Sequence, residues 1–285
     1  MITPAEYRKQ NQALMAEYEI RVRNWLRERG EMELADKIPF FRDGVTCPER
    51  WFLEGNFRPL FILKEVSIGK NDVSEVDDYL EHWGNPKYFE FAECPFDDIR
   101  NGKFRTWQNV ARLAKVMEDV KVMEDVWNKS PIESDLRIEF LDKGGGKLYT
   151  GDIEGYKDKP YNSRRTDNED YIEIIDRIAA INIKKVGGGK KVSSELSKAT
   201  GYYTEHVAPF RDLLIRQINL INPTVIVCLG KESGNWLSEC EWLDGIKRGI
   251  NDKEIPWIRG YHPAAPYISN INKCKYTVDK FRHSC

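Results

Sequence analysis

The sequence predicts an α/β fold built on a central, mainly parallel four-stranded sheet. Four short apolar runs carry that expectation: Leu60-Phe-Ile-Leu63, Ile178-Ala-Ala-Ile-Asn-Ile183, Thr224 to Leu229, and the weaker Trp257-Ile-Arg259. None alternates with polar residues, as expected of strands covered on both faces. Each run passes at once into a polar or glycine-rich turn: Lys64-Glu65-Val66-Ser67, Lys184-Lys185-Val186-Gly187, Gly230-Lys231-Glu232-Ser233 and Gly260-Tyr261-His262-Pro263. Finally, the third run is fed by a helix. Leu213, Leu214, Gln217, Ile218 and Ile221 recur at helical spacing, and Pro223 ends the helix because its ring disfavours the α conformation at Asn222. Ligands of open α/β sheets bind beyond the carboxyl ends of the strands, so the four turns are expected to share one mouth.

Taken in order, Pro4 to Arg29 reads as a helix with Tyr7, Leu14, Tyr18, Val22, Trp25 and Leu26 tending to one stripe and Gly30 as its stop. A short helix is expected over Glu31 to Lys37. Cys47 to Asn56 reads as a turn leading into the first core strand, Pro59 to Glu65. A long excursion, Val66 to Tyr171, then precedes the second strand. It is acidic and aromatic at first (Tyr79, Trp83, Tyr88, Phe89, Phe91, Phe96), with a helix expected from Thr106. Lys-Val-Met-Glu-Asp-Val occurs twice in tandem, at 115–120 and 121–126, as a duplication within a surface helix would give. Gly144-Gly145-Gly146 suits a hairpin tip. Lys157 to Arg165, with Tyr156 and Tyr161, suits either a nucleic-acid backbone with stacked bases or an exposed loop. Helices are expected over Ser193 to Lys198, Glu205 to Ile221 and Asn270 to Arg282. The domain organisation is therefore one unit over 1–285, with an N-terminal helical segment at 1–40 and a large insertion at about 66–171.

At 285 residues, with 41% hydrophobic and 32% charged residues, the chain has material for a full core and a solvated surface. No apolar run approaches the roughly 20 residues that span a bilayer, and the first residues lack a secretory pattern. The cysteines at 47, 94, 228, 240, 274 and 285 form no Cys-x-x-Cys pair, which points to reduced thiols and a cytoplasmic setting. A monomer is the favoured state. Net charge is −2, so nonspecific coating of nucleic acid is not expected, yet basic residues cluster locally. Lys184, Lys185, Lys190 and Lys191 form the cluster that lies directly at a strand's carboxyl end, where it could meet phosphate. Gly187-Gly188-Gly189-Lys190 does not qualify as a phosphate loop: Lys184 stands at the first glycine's place and Lys191 at that of the Ser or Thr.

Three polar residues at the strand ends are candidates for chemistry. Asn182 either caps the turn after its strand or reads a ligand's hydrogen-bonding edge, having both a donor and an acceptor. His262 stands in the turn after the fourth run, where a histidine can serve simply as a hydrogen-bonded turn residue. Glu65 is a carboxylate at the first strand's exit, with Lys64 and Lys70 near in the chain as salt-bridge partners.

In this order the strand ends resemble the uracil-DNA glycosylase superfamily, in particular its thermophile-type branch. That branch reads Gly-Glu-Ala-Pro-Gly after the first strand, Asn-x-x-Lys-Cys after the second, and a third strand of Pro, apolar run and Leu-Gly. It ends with His-Pro-Ser before the last helix. The counterparts are Lys64-Glu65-Val66-Ser67-Ile68, Asn182-Ile183-Lys184-Lys185-Val186, Pro223 to Gly230, and His262-Pro263-Ala264. The resemblance covers roughly Leu60 to Gly69 and Ile178 to Arg282. It implies a three-layer α/β/α arrangement and a monofunctional DNA glycosylase that flips a base, grips its pairing edge and cleaves the bond to the sugar. It further implies Glu65, His262 and Asn182 as catalytic residues. Asn182, Val66 and Ser67 would bind the base, and Lys184, Lys185, Lys190, Lys191 and Pro263 the DNA. No metal or other cofactor is expected, since Val186 stands where the branch has a cluster cysteine. The first motif keeps Glu65 but lacks both glycines and the proline. With the aromatic and acidic insertion beside it, this suggests a pocket for a bulky modified pyrimidine, such as glucosylated hydroxymethylcytosine of phage DNA, and a role in antiviral defence. The insertion could equally enlarge the DNA footprint. The rival readings are ordinary uracil repair, a non-catalytic nucleic-acid binding module and a small-molecule nucleoside hydrolase.

Overall fold

A computed structural model describes residues 2–54, 57–64, 72–76, 174–189, 194–230, 255 and the strand backbone 257–261, together with Val110, Ala111, Leu113, Ala114, Met117 and Glu118. The first helix, α1 (Pro4–Glu28), starts at a capping box: Glu6 N–H donates to Thr3 Oγ1 at 3.2 Å and Thr3 N–H to Glu6 Oε2 at 2.8 Å, with Pro4 at the first helical position. Gly30, at φ 88°, takes the left-handed position past its end. Next come α2 (Met32–Lys37), β1 (Gly44–Val45), α3 (Pro48–Leu53) and β2 (Pro59–Leu63). After β3 (Ala179–Asn182) follow α4 (Glu195–Ala199), α5 (Tyr203–Ile221), β4 (Val225–Gly230) and β5 (Trp257–Tyr261).

The strands form one mixed sheet in the order β1-β3-β2-β4-β5. β3, β2, β4 and β5 pair in parallel, and β1 lies antiparallel on β3 through Gly44↔Ala180 and Val45↔Ala179. This corrects the expectation of four mainly parallel strands: a fifth, antiparallel strand forms one edge. Cys47 to Asn56, expected to be a turn, contains the helix α3. Its Trp51 Nε1 donates to the carbonyl of Ile221, the last residue of α5, at 2.9 Å. The close of α5 follows the sequence reading. Asn222, ahead of Pro223, leaves the helix in a left-handed conformation at φ 50°, and β4 begins at Val225.

Both faces of β2, β3 and β4 are buried. Leu60 and Ile62 of β2, Ala179 and Ile181 of β3, and Ile226 and Cys228 of β4 share one cluster with Leu14, Tyr18 and Val22 of α1 and Leu214, Ile218 and Ile221 of α5. The alternate residues Phe61, Ala180, Val225, Val227 and Leu229 are buried outside that cluster, as strand alternation requires. Helical Val110, Ala111, Leu113, Ala114 and Met117 are buried outside it too. Ion pairs tie α1 to α5 across the surface, Arg21 to Asp212 at 2.6 Å and Arg216 to Glu17 at 2.7 Å.

The order of the parallel strands contains a topological switch point. The chain leaves β2 towards β3 on one side, passes back over β2 to β4, and continues outward to β5. Connections thus depart from neighbouring strands β2 and β4 in opposite directions. In open α/β sheets such a switch point is where ligands bind, beyond the carboxyl ends of the strands.

Candidate functional site

The carboxyl ends of β2 and β3 carry a polar network that is mostly closed off from solvent. Pairing continues past both strands, with Ile183 N–H donating to Leu63 O and Lys184 N–H to Lys64 O, each at 2.9 Å. On the other side of β3 the segment 39–45 runs alongside. Phe41 N–H donates to Lys185 O at 2.7 Å, Phe40 bridges Val186 in antiparallel fashion, and Gly187 N–H donates to Pro39 O at 3.3 Å. The turn after β3 is thereby held between β2 and this segment.

That covering explains a correction. Lys184 and Lys185, expected as phosphate contacts, are both fully buried, with 0% exposure. Lys185 Nζ pairs with Asp43 Oδ1 at 2.5 Å and stands 5.7 Å from the Tyr18 ring centre. Burial pulls its ammonium below the ordinary lysine range, and Asp43 opposes the shift. Lys184 Nζ donates to Thr200 Oγ1 at 2.8 Å, and Thr200 Oγ1 in turn donates to Leu196 O at 2.6 Å. Neither side chain reaches the surface.

Asn182 is the last residue of β3 and is buried. Asp43 Oδ2 accepts from both its backbone N–H, at 2.6 Å, and its side-chain Nδ2, at 3.1 Å. Gln217 Nε2, from α5, donates to Asp43 O at 2.9 Å and Oδ1 at 3.0 Å. Sequence reasoning had set Gln217 in the apolar stripe of the helix and passed over Asp43. A buried amide between Leu214 and Ile218 does demand a partner. The partner, however, lies 174 residues away, and no local pattern marks it.

A second buried group adjoins the Lys184 contact. His206 is fully buried and its Nε2 lies 2.8 Å from Thr200 O, which makes Nε2 the protonated nitrogen; among the described residues Nδ1 has no hydrogen-bond partner. Its ring packs 4.8 Å from Trp25 and 5.5 Å from Phe210. Burial, more than the opposing bond to Thr200, pushes its pKa down to about 3, so the imidazole is neutral. Half-buried Lys64, the first residue after β2, donates to Tyr203 Oη at 2.9 Å.

Of the other residues singled out in the sequence, Glu65, Val66, Ser67, Lys190, Lys191, His262 and Pro263 lie outside the described residues, as does most of the 66–171 insertion. Among the described residues, no three His, Cys, Asp or Glu side chains are grouped to hold a metal ion, and no helix is long and apolar enough to cross a membrane. A small recess lined by Phe57, Pro59, Ile178 and Arg177 lies at the amino ends of β2 and β3, away from the strand exits. Comparison with family models, curated proteins and solved structures returned no match to this chain.

Proposed function

We propose that the chain is a DNA glycosylase of the uracil-DNA glycosylase type, which flips a base out of the helix and hydrolyses its N-glycosidic bond to leave an abasic site. The observation that carries this reading is the parallel order β3-β2-β4-β5. Parallel strands end at a common edge. Asn182 closes β3, Glu65 follows the end of β2 by two residues in the chain, and His262 follows the end of β5 by one. Their places in the chain, after the ends of three parallel strands, support a shared site at the carboxyl edge, where ligands of open α/β sheets bind. A three-layer arrangement suits the same facts. Right-handed crossovers that carry α5 over one face would send the β2-to-β3 connection over the other, and Val110, Ala111, Leu113, Ala114 and Met117 are buried outside the cluster that α1 and α5 share.

In this reading Asn182 reads the pairing edge of the flipped base. His262 donates to the base oxygen as negative charge gathers on the leaving group, and Glu65 orients water or stabilises the cationic sugar. Hydrolysis draws on these side chains alone. The substrate is a modified pyrimidine, glucosylated hydroxymethylcytosine of phage DNA being the leading candidate, and the biological setting is antiviral defence. Aromatic faces and carboxylates of the insertion suit a hydroxyl-bearing substituent. The burial of Lys184 and Lys185 favours one rival, a hydrolase of free nucleosides, because it removes two of the expected phosphate contacts.

The deciding experiment incubates the protein with glucosylated phage DNA, with uracil-containing DNA and with free nucleosides, scoring abasic sites and released base. Abasic sites in the glucosylated DNA are expected. Cleavage of uracil DNA alone would return the protein to ordinary repair, and release from nucleosides alone would establish the rival. A protein inert on all three substrates is no glycosylase for these bases.

A further inference from the structure

Asn182 can read a base only if its amide is held one way round, because the oxygen and nitrogen ends exchange on a half-turn of the terminal torsion. Asp43 supplies the constraint. An ionised carboxylate only accepts hydrogen bonds, so the end of the Asn182 amide that faces Asp43 Oδ2, at 3.1 Å, must be its NH2 group. The same oxygen takes the Asn182 backbone N–H at 2.6 Å, which fixes the position of the residue as well as its rotation. The carboxylate is itself fixed, since its other oxygen accepts from Lys185 Nζ at 2.5 Å and Gln217 Nε2 at 3.0 Å. It is 2% exposed, so water does not compete for it. The Asn182 amide oxygen accepts no hydrogen bond among the described residues.

We infer that Asp43 is a positioning residue that sets the orientation of the Asn182 amide, leaving the Asn182 oxygen to accept from an N–H or NH2 group on the pairing edge of the flipped base. The inference rests on the glycosylase reading for its substrate, but the geometry it describes belongs to the free protein. A ring N–H or an exocyclic amine satisfies the oxygen. A base edge that offers only acceptors to it does not.

The test needs variants that change the acceptor without stranding the buried lysine. Asp43→Asn with Lys185→Met keeps a carbonyl facing Asn182 and removes both charges. Asp43→Leu with Lys185→Met removes the acceptor as well. Two readouts are taken beside thermal melting: hydrogen exchange of the Asn182 side-chain amide by NMR, and excision kinetics on two substrates differing in the pairing edge. Slow amide exchange is expected in the wild type and the Asn/Met variant, and fast exchange in the Leu/Met variant. The Leu/Met variant should also lose at least about tenfold in kcat, the scale of misplacing a reacting partner. Its preference between the two bases should collapse, and the Asn/Met variant should retain both rate and preference.

Equal amide protection in all three proteins would overturn the inference whatever the activity. So would a Leu/Met variant with wild-type rate and base preference when Asn182→Ala has lost excision. Full excision by Asn182→Ala overturns instead the glycosylase reading of that residue, and the exchange measurement still decides whether Asp43 holds the amide.

Discussion

Asp43 and Lys185 form an ion pair with side-chain exposures of 2% and 0%. Pairs this deep gain little over an apolar pair of similar shape, yet losing one partner leaves an uncompensated charge. Asp43→Ala should therefore destabilise the fold by about 3–5 kcal/mol, whereas the Asn/Met double substitution should cost much less. Denaturant titration of both variants checks this, and equal losses would mean that the charge pair is not what the site depends on. His206 gives a pH dependence of known sign. Its folded pKa is about 3 against an ordinary histidine value of 6.5, so between those values the unfolded chain binds a proton that the folded chain refuses. The contribution is whole above pH 6.5 and is lost as pH falls towards 3, at up to about 1.4 kcal/mol per pH unit. His206→Gln should melt with a shallower acid limb than the wild type over that range. Parallel limbs would show that the histidine is not held neutral.

At the scale of elements, what could be read in the sequence depended on length and reach. The helices α1 and α5 and the strands β2, β3, β4 and β5 announced themselves through periodicity, apolar runs and the stops at Gly30 and Pro223. β1 has only Gly44 and Val45, and α3 only six residues, too few for a period to show. Asn182 was legible because it ends a recognisable strand. Asp43 was not, because what gives it meaning is a partner 139 residues away. Lys184 and Lys185 were misread for the same reason: a sequence displays charge, but not the segment 39–45 laid over it. Gly44 stands within that covering segment. At φ 150° it has a backbone that L side chains rarely adopt, and an added Cβ would come within 2.4 Å of Tyr7 Oη, which accepts from Val45 N–H at 2.9 Å. Gly44→Ala should cost at least about 2 kcal/mol from strain and overpacking together. It should cost less on a Tyr7→Phe background, where the hydroxyl that the methyl meets is gone. Additive losses in that double-mutant cycle would sink the idea that Gly44 is required by the approach of Tyr7.

For the whole molecule the question is how a chain of net charge −2 would hold a polyanion. Affinity for duplex DNA falls with salt at a slope of roughly 0.9 per phosphate neutralised, in log–log terms, so the slope counts contacting cations. The sequence offered four lysines after β3 for this work. Two are now committed inward, Lys185 to Asp43 and Lys184 to Thr200, each with no exposed surface. Their neutralisation should therefore lower the melting temperature and leave the salt slope of the folded protein unchanged. Lys190 and Lys191 lie outside the described residues, and under the proposed function they are the pair that would meet phosphate. Replacing both with Gln should lower the slope by about 1.8, twice the value for a single contact, with little effect on melting. Fluorescence anisotropy of a labelled duplex over a range of salt concentrations, on each pair of variants below its melting temperature, separates the two cases. A slope that drops on neutralising Lys184 and Lys185 but not Lys190 and Lys191 would mean that DNA binding opens the turn after β3 and frees the buried pair. No change with either pair would put the DNA path on another basic cluster, with Lys157 to Arg165 the next to be replaced.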